Sequence, residues 1–448
     1  MGFMPIHRKA VQNMKVTINP NKTLGAIKPM NAVNNGPLYS WKADQDQTNL
    51  PEYKAARIPY ARTHDASIYY NYGGEHTVDI VNIFPDFDAD PNVPESYDFT
   101  MTDFYLKGIV EAGTETFFRL GNKIEHWVKK YGIYPPKDFH KWAVICEHII
   151  AHYTEGWADG FTWKITYWEI WNEPDGYGFC WMGTPEEFHE LFAITAKHLK
   201  ARFPQLKIGG PAVCGYRQPW LDDFFTRMRE ENVPIDFYSW HRYTTSVQSV
   251  VDNIRLHREL LDKFGYTKTE SILNEWNYVR KFNGSEWLYS LDQEKKIKGA
   301  AFMAAVMTAS QDEPVDMLMY YDARMNSGMN GIFSTVDYKT LKGYHVVYAW
   351  SDLAELGTEV EAESDIPDIY AVAAAKDGNV MTMLTYYTDN DNAVPKTFKV
   401  YGLSDGMWGI YLLDDTHDMV LSEEAAVDDS EFFITMRPNS VIVIKKCS

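Results

Sequence analysis

The sequence predicts an α/β chain, with a (β/α)8 barrel followed by a C-terminal antiparallel β-sandwich. Three observations lead there. From about residue 24 to 355, short apolar runs alternate with amphipathic helical stretches, and eight such units close naturally into a barrel of parallel strands. No GxGxxG or GxxxxGK follows the first strand, so the competing doubly wound sheet lacks its usual signature. After about residue 356 the pattern shifts to short strands separated by turn residues. The expected organisation is an N-terminal segment at 1–23, a catalytic barrel at 24–355 and an accessory sandwich at 356–448.

The eight barrel strands are expected at 24–30, 59–64, 116–120, 167–172, 206–213, 236–243, 270–277 and 316–322. Between them, Thr184-Pro185-Glu186-Glu187 is a capping box with proline at the first helical position. Phe188, Leu191, Phe192, Thr195 and Leu199 follow at helical spacing. Segments 136–153, 220–231 and 292–310 also read as helices. In the sandwich, strands are expected at 380–384, 398–400, 410–412, 432–434 and 441–444, with Asp377-Gly378-Asn379 as a turn. The stretch 14–19 is a strand-like piece that could join them.

Composition narrows the function classes. Hydrophobic residues make up 45% of the 448 and charged residues 23%, which is ordinary for a globular chain. The net charge of −19 argues against a nucleic-acid partner, which would need cationic groups for phosphate neutralisation. No apolar run approaches the ~18 residues of a membrane span. Cys146, Cys180, Cys214 and Cys447 form no CxxC pair and no disulfide framework, which points to a reduced cytoplasmic setting. A secreted form with its leader removed would carry the same sequence. Aromatic residues reach 15%, with 14 Trp, an excess that suits a cleft stacking flat, weakly charged rings.

In a closed barrel the chemistry sits at the C-terminal strand ends. Two of those ends are acidic: Trp168-Glu169-Ile170-Trp171-Asn172-Glu173-Pro174-Asp175 on the fourth strand, and Ile272-Leu273-Asn274-Glu275-Trp276 on the seventh. Two carboxylates facing one cleft are what glycosidic cleavage needs, one protonated for the leaving oxygen and one ionised. Strict alternation would point only one of Asn172 and Glu173 inward, so a bend or bulge must present both. Pro174, which cannot donate a ladder hydrogen bond, supports such a bend.

These strings, together with Arg62-Thr63-His64-Asp65 on the second strand, resemble glycoside hydrolase family 39, in the clan of retaining (β/α)8 hydrolases that includes β-xylosidases and α-L-iduronidases. The resemblance spans most of residues 24–355. It implies Glu173 as acid/base, Glu275 as nucleophile, and Asn172 as the partner of the sugar 2-hydroxyl. On strand six, His241 and Tyr243 share a face and would flank the nucleophile. Arg62 would lie beside Glu275 and lower its pKa. His64 and Asp65 would face or orient the substrate, as would Trp276. Strand eight carries Tyr320-Tyr321-Asp322-Ala323-Arg324 where many barrels of this clan have a tryptophan, so Tyr321 is the candidate sugar platform. Phe179, Trp181, Asn35 and Trp41 are candidates for lining the leaving-group side.

The implied activity is retaining hydrolysis of an oligosaccharide or glycoside, β-xylosidase first. The alternatives are another sugar (a uronate, arabinose, galactose or glucose), a transglycosylase, or a carbohydrate-binding barrel without turnover. No metal or organic cofactor is implied. A metal-dependent hydrolase using His64, Asp65, His241 and Glu275 has no HxH or HExxH spacing behind it. Oligomeric state is open, a homo-oligomer included.

Overall fold

The computed structural model describes residues 14–39, 48–66, 77–125, 128–325 and 327–447. Strand β1 (Lys15–Ala26) precedes a closed barrel of β2 (Ala32–Asn34), β3 (Tyr60–Arg62), β4 (Glu115–Leu120), β5 (Tyr167–Ile170), β6 (Lys207–Val213), β7 (Phe237–Thr244), β8 (Glu270–Tyr278) and β9 (Met317–Tyr320). All eight neighbours pair in parallel, and β9 pairs with β2 to close the ring.

The first barrel strand differs from the sequence expectation of 24–30. Thr23, Gly25 and Ala26 instead pair antiparallel with Val360, Glu359 and Thr358, and Leu24 is 46% exposed. The true strand, Ala32-Val33-Asn34, is three residues long and ends in a polar side chain, too short to show a period.

Ten described helices are α1 (Leu50–Ala55), α2 (Ile80–Ile83), α3 (Thr100–Glu111), α4 (Phe139–Thr154), α5 (Pro185–Arg202), α6 (Gln218–Glu230), α7 (Val247–Lys263), α8 (Gly284–Glu294), α9 (Ile297–Gln311) and α10 (Lys342–Leu356). The capping box opens α5 as the sequence requires. Thr184 Oγ1 accepts from Glu187 N at 3.2 Å, and Glu187 Oε2 accepts from Thr184 N at 2.8 Å. The expected single helix at 292–310 is two, α8 and α9. A side chain at Gly299 would meet Gln293 O at 2.6 Å, so the second helix can start hard against the end of the first. No helix among the described residues is long and apolar enough to cross a membrane.

The strand period builds the barrel interior in layers. Ala32, Phe117, Tyr167, Phe237, Ile272, Met317 and Met319 form a buried apolar plug. Two residues further along the same strands stand Asn34, Arg119, Glu169, Ser239 and Asn274, all buried. An apolar floor therefore carries a polar storey, and the C-terminal ends of the strands lie above it.

The remaining strands are β10 (Thr358–Ser364), β11 (Ile369–Lys376), β12 (Asn379–Tyr386), β13 (Lys396–Tyr401), β14 (Gly406–Leu413), β15 (Asp418–Val427), β16 (Glu431–Met436) and β17 (Ser440–Lys446). They join β1 in one mixed sheet of order β15-β14-β17-β12-β11-β10-β1-β13-β16. Every pairing is antiparallel except that of β1 with β13. No hairpin links those two strands, so nothing forces the antiparallel sense. Asp377 and Gly378, at φ 51° and 82°, form the two-residue turn between β11 and β12.

Candidate active site

Strand β5 ends at Ile170, and the chain then bends sharply. Trp171 and Glu173 have φ of 71° and 45°, in the left-handed region that side chains rarely enter. Their amides are captured by neighbouring strand ends, Trp171 N by Leu120 O at 2.7 Å and Glu173 N by Ala212 O at 2.8 Å. The bend breaks the alternation and turns both Asn172 and Glu173 inward. The close approach needs Gly121, since a Cβ there would lie 3.1 Å from Trp171 Cα.

Strand β8 uses a bulge for the same purpose. Leu273 pairs with Trp240 and Glu275 with His241, leaving Asn274 as the extra residue. Asn274 Nδ2 reaches inward to Glu169 Oε1 at 2.6 Å, and Glu275 also faces inward, beside Arg62. Two local departures from regular strand geometry thus bring the acidic ends together.

Arg62, fully buried, organises the storey beneath. Nε donates to Glu169 Oε2 at 2.6 Å, Nη1 to Glu275 Oε1 at 2.8 Å and to Asn34 Oδ1 at 3.0 Å, and Nη2 to Asn172 Oδ1 at 2.6 Å. Glu169 also accepts from Ser239 Oγ at 2.6 Å. Glu169 neutralises one side of Arg62, so Glu275 shares its cation with a second, inaccessible carboxylate.

Above this layer, Tyr243 OH donates to Glu275 Oε2 at 2.8 Å. His241 Nδ1 lies 2.8 Å from Glu173 Oε1 and 3.4 Å from Glu275 Oε2, and His64 Nε2 lies 3.5 Å from Glu275 Oε1. One oxygen of Glu173, one of Glu275 and a nitrogen of His241 all fall within 4.8 Å of one another. Cys180 Sγ completes the surroundings of Glu173, 3.7 Å from its Oε2. The Glu173 side chain keeps 18% of its surface exposed and that of Glu275 6%.

Burial pushes the Glu173 carboxyl up to about 7, against the pull of Arg62. Glu275 is also raised by burial and by the charge of Glu173, although His241 in its protonated form, Arg62 and the Tyr243 hydroxyl all oppose the rise. Arg62 acts in the direction that the sequence implied, but the net shift is upward because desolvation of the carboxylate is larger. Burial lowers His241 below its usual value, which keeps the ring neutral near pH 7.

Glu173, Glu275, Asn172, Arg62, His241 and Tyr243 therefore share one hydrogen-bonded cluster, with His64 beside Glu275 at 3.5 Å. Asp65 and Tyr321 stand at its edge. Tyr321 OH donates to Asp65 Oδ2 at 2.8 Å, and its ring meets that of Tyr243 edge-on at 6.3 Å. Arg62 lies beneath the cleft with no exposed surface, so it can orient Glu275 and Asn172 but has no face left for a ligand.

Two expected substrate contacts are corrected. Trp276 follows the bulge on the outer face of β8, where it packs against Phe302 of α9 and Tyr320. Trp181 is buried between Trp171 and Phe188, with its indole N–H on Thr184 O. Both are packing residues. Asn35 is buried and donates to Asp322 Oδ2 at 3.4 Å, whereas Phe179 is 55% exposed. Trp41 lies outside the described residues.

Sequence reasoning assigned no role to Glu169, Asn274, Cys180 or Phe282. Glu169 had a usable signal, because it lies two residues after Tyr167 and so on the same inward face of β5. Asn274 had none, since a bulge is invisible in the pattern. Phe282, 59% exposed in the loop after β8, sets its ring edge-on against Tyr243 at 5.1 Å.

Comparison with known proteins adds four findings. The family model for glycosyl hydrolases family 39 matches residues 14–360. A β-xylosidase of Geobacillus stearothermophilus is 30% identical over 179 residues, 37% of this chain and 34% of that protein. One of Caldicellulosiruptor saccharolyticus is 30% identical over 245 residues, 52% of this chain and 47% of that protein. The match thus spans a third to a half of the length of these curated relatives. Among solved structures, a glucosidase from Croceicoccus marinus superposes with a TM-score of 0.79 at 22% identity, over 98% of this chain and all of that one.

Proposed function

The chain belongs to glycosyl hydrolases family 39, and from that premise we propose that it cleaves glycosides with retention of configuration, with β-xylosides as the leading substrates. The observation that carries this reading is the carboxylate pair, whose nearest oxygens lie within 4.8 Å. Retaining enzymes hold their two carboxyl groups about 5–5.5 Å apart, whereas inversion needs room for a water and roughly 6.5–9.5 Å.

Glu275 is the nucleophile. Its carboxylate has the arginine and the tyrosine as donors, so of the pair it holds the charge more readily. Glu173 has only a neutral histidine and a thiol, and with its pKa lifted to about 7 it carries the proton for the leaving oxygen. Glu275 Oε2 or Oε1 attacks the anomeric carbon as Glu173 protonates the departing group. Asn172, gripped by Arg62, holds the sugar 2-hydroxyl while charge develops at the ring. Once Glu275 is an ester its negative charge is gone, and the repulsion it exerted on Glu173 goes with it. The Glu173 pKa then falls, and the same carboxyl takes a proton from water to release the sugar.

The two β-xylosidases support xylose as the first sugar to try. The test is hydrolysis of an aryl β-xyloside followed by proton NMR, alongside aryl glucosides, galactosides, arabinosides and uronides. β-Xylose should appear first and convert slowly to the α anomer. The α anomer appearing first, or no turnover across the panel, would overturn the assignment.

A further inference from the structure

The loop between β12 and β13 belongs to the C-terminal sheet, yet its side chains grip the barrel at two adjacent places. Asp389 Oδ1 accepts from Tyr278 OH at 2.6 Å and from Arg280 Nη2 at 3.0 Å, at the end of β8. Tyr387 OH donates to Thr245 O at 2.5 Å, one residue past the end of β7. Lys298 of α9 closes the group from behind, 2.6 Å from Asp391 Oδ1 and 3.4 Å from Asp389 Oδ1. β7 and β8 are the two strands that carry His241, Tyr243 and Glu275.

A continuous set of contacts leads from this latch to the nucleophile. Arg280 stacks on Tyr289 at 4.0 Å and its backbone N–H is held by Ser290 Oγ, so its guanidinium fixes the turn that follows β8. Phe282, in that turn, abuts the edge of Tyr243 at 5.1 Å. Tyr243 OH in turn donates to Glu275 Oε2. Phe282 is otherwise 59% exposed, with Trp287 as its near neighbour at 5.3 Å, so its position depends on the turn that carries it.

We propose that Asp389 is a positioning residue, through which the C-terminal sheet sets the hydrogen bond between Tyr243 and Glu275. The proposal rests on Glu275 as nucleophile. It gives the sheet a part in the chemistry beyond covering the barrel. The groups facing Glu275 are Arg62 and His64 from β3 and its end, His241 and Tyr243 from β7, Glu173 and Cys180 from the β5 end and the loop after it, and Tyr321 from the β9 end. Of these, only Tyr243 touches the turn held by the latch. Loosening the latch should weaken the Tyr243 donor, leave the other groups in place, and raise the nucleophile's pKa.

The experiment compares wild type, Asp389→Ala, Asp389→Asn and Tyr243→Phe, with active sites counted by a slow fluoroglycoside inactivator. In Asp389→Ala, kcat/KM per active site should fall roughly 2- to 30-fold, the span of couplings carried through such networks. The acid limb of its pH profile should move to higher pH. Asp389→Asn keeps one acceptor oxygen and should recover part of both effects. In a Tyr243→Phe background the Asp389 change should shift the limb no further. An unmoved limb in Asp389→Ala, or an equal shift in the Tyr243→Phe background, overturns the proposal. Tyr278→Phe removes a single bond and gives the same readout if Asp389→Ala folds poorly. A second readout needs no turnover. Backbone hydrogen exchange over 240–246 and 274–283 should quicken in Asp389→Ala, and unchanged exchange refutes the latch whatever the reaction is. Wild-type protein inert on every aryl glycoside would instead count against the proposed function.

Discussion

Arg62 Nε and Glu169 Oε2 are 2.6 Å apart, and neither side chain has any exposed surface. The pair lies directly beneath the two carboxylates at the cleft. It fixes the guanidinium so that its other two nitrogens meet Glu275 and Asn172. Removing one partner of such a pair leaves a buried charge uncompensated, at a cost of about 3–5 kcal/mol. Glu169→Leu should therefore lower the denaturation midpoint clearly and cut activity, although Glu169 touches no substrate. A variant with wild-type stability and rate would show that Arg62 needs only Glu275.

Glu275→Gln should retain the fold and lose turnover by more than the ~10²–10⁴-fold that acid/base help contributes. Rates on a dinitrophenyl glycoside, with circular dichroism as the control, give the answer. Substantial residual activity would move the nucleophile elsewhere.

Glu173→Ala should slow an alkyl or sugar leaving group severely and a dinitrophenyl group much less, because the latter departs without a proton. The glycosyl-enzyme should then accumulate. Azide, which needs no deprotonation, should restore turnover and give a glycosyl azide with the substrate's configuration. A uniform loss across leaving groups, with no azide product, would return Glu173 to a structural role.

The pH dependence follows from the Glu173 shift. As the proposed general acid it acts in its protonated form, so kcat/KM should fall as pH rises through about 7. The same shift is a statement about stability. A carboxyl raised from 4.5 to about 7 by folding favours the native state below 4.5 and loses that contribution as pH rises through about 7. Glu173→Gln should flatten this part of the stability curve, which denaturant midpoints at pH 5 and 8 would show.

Much of the barrel was legible because its strands are apolar runs at regular intervals and its helices carry their own punctuation. The capping box at Thr184 is local chemistry, and it formed as written. Strands β10, β11 and β15 went unread. Their sequences, TEVEAES, IYAVAAAK and DMVLSEEAAV, are rich in acidic residues or alanine, and only their sheet neighbours make them strands. In the cleft, the bend at Asn172-Glu173 was inferable, since two functional side chains in sequence cannot both face inward along a regular strand. The bulge at Asn274 was not, because it depends on the register against β7, which is a property of two strands rather than of one sequence. The outward face of Trp276 was inferable by the same alternation, since it directly follows the inward Glu275.

The place of β1 bears on how the chain is made. It leaves the ribosome ahead of every barrel strand, yet its partners are synthesised more than three hundred residues later. Val16 lies beside Ser364 on one side and Val400 on the other. Until those arrive, the strand has two bare edges and an apolar face, with Val16 and Ile18 destined for the sheet's interior. The barrel can close around its plug during this wait, but the sheet cannot. A chain stopped at the end of α10 would not be a tidy catalytic module, because it would trail an unpaired strand suited to adhere to its own kind. Cutting between barrel and sheet in the hope of a smaller enzyme should therefore give aggregates unless residues 15–26 are removed as well.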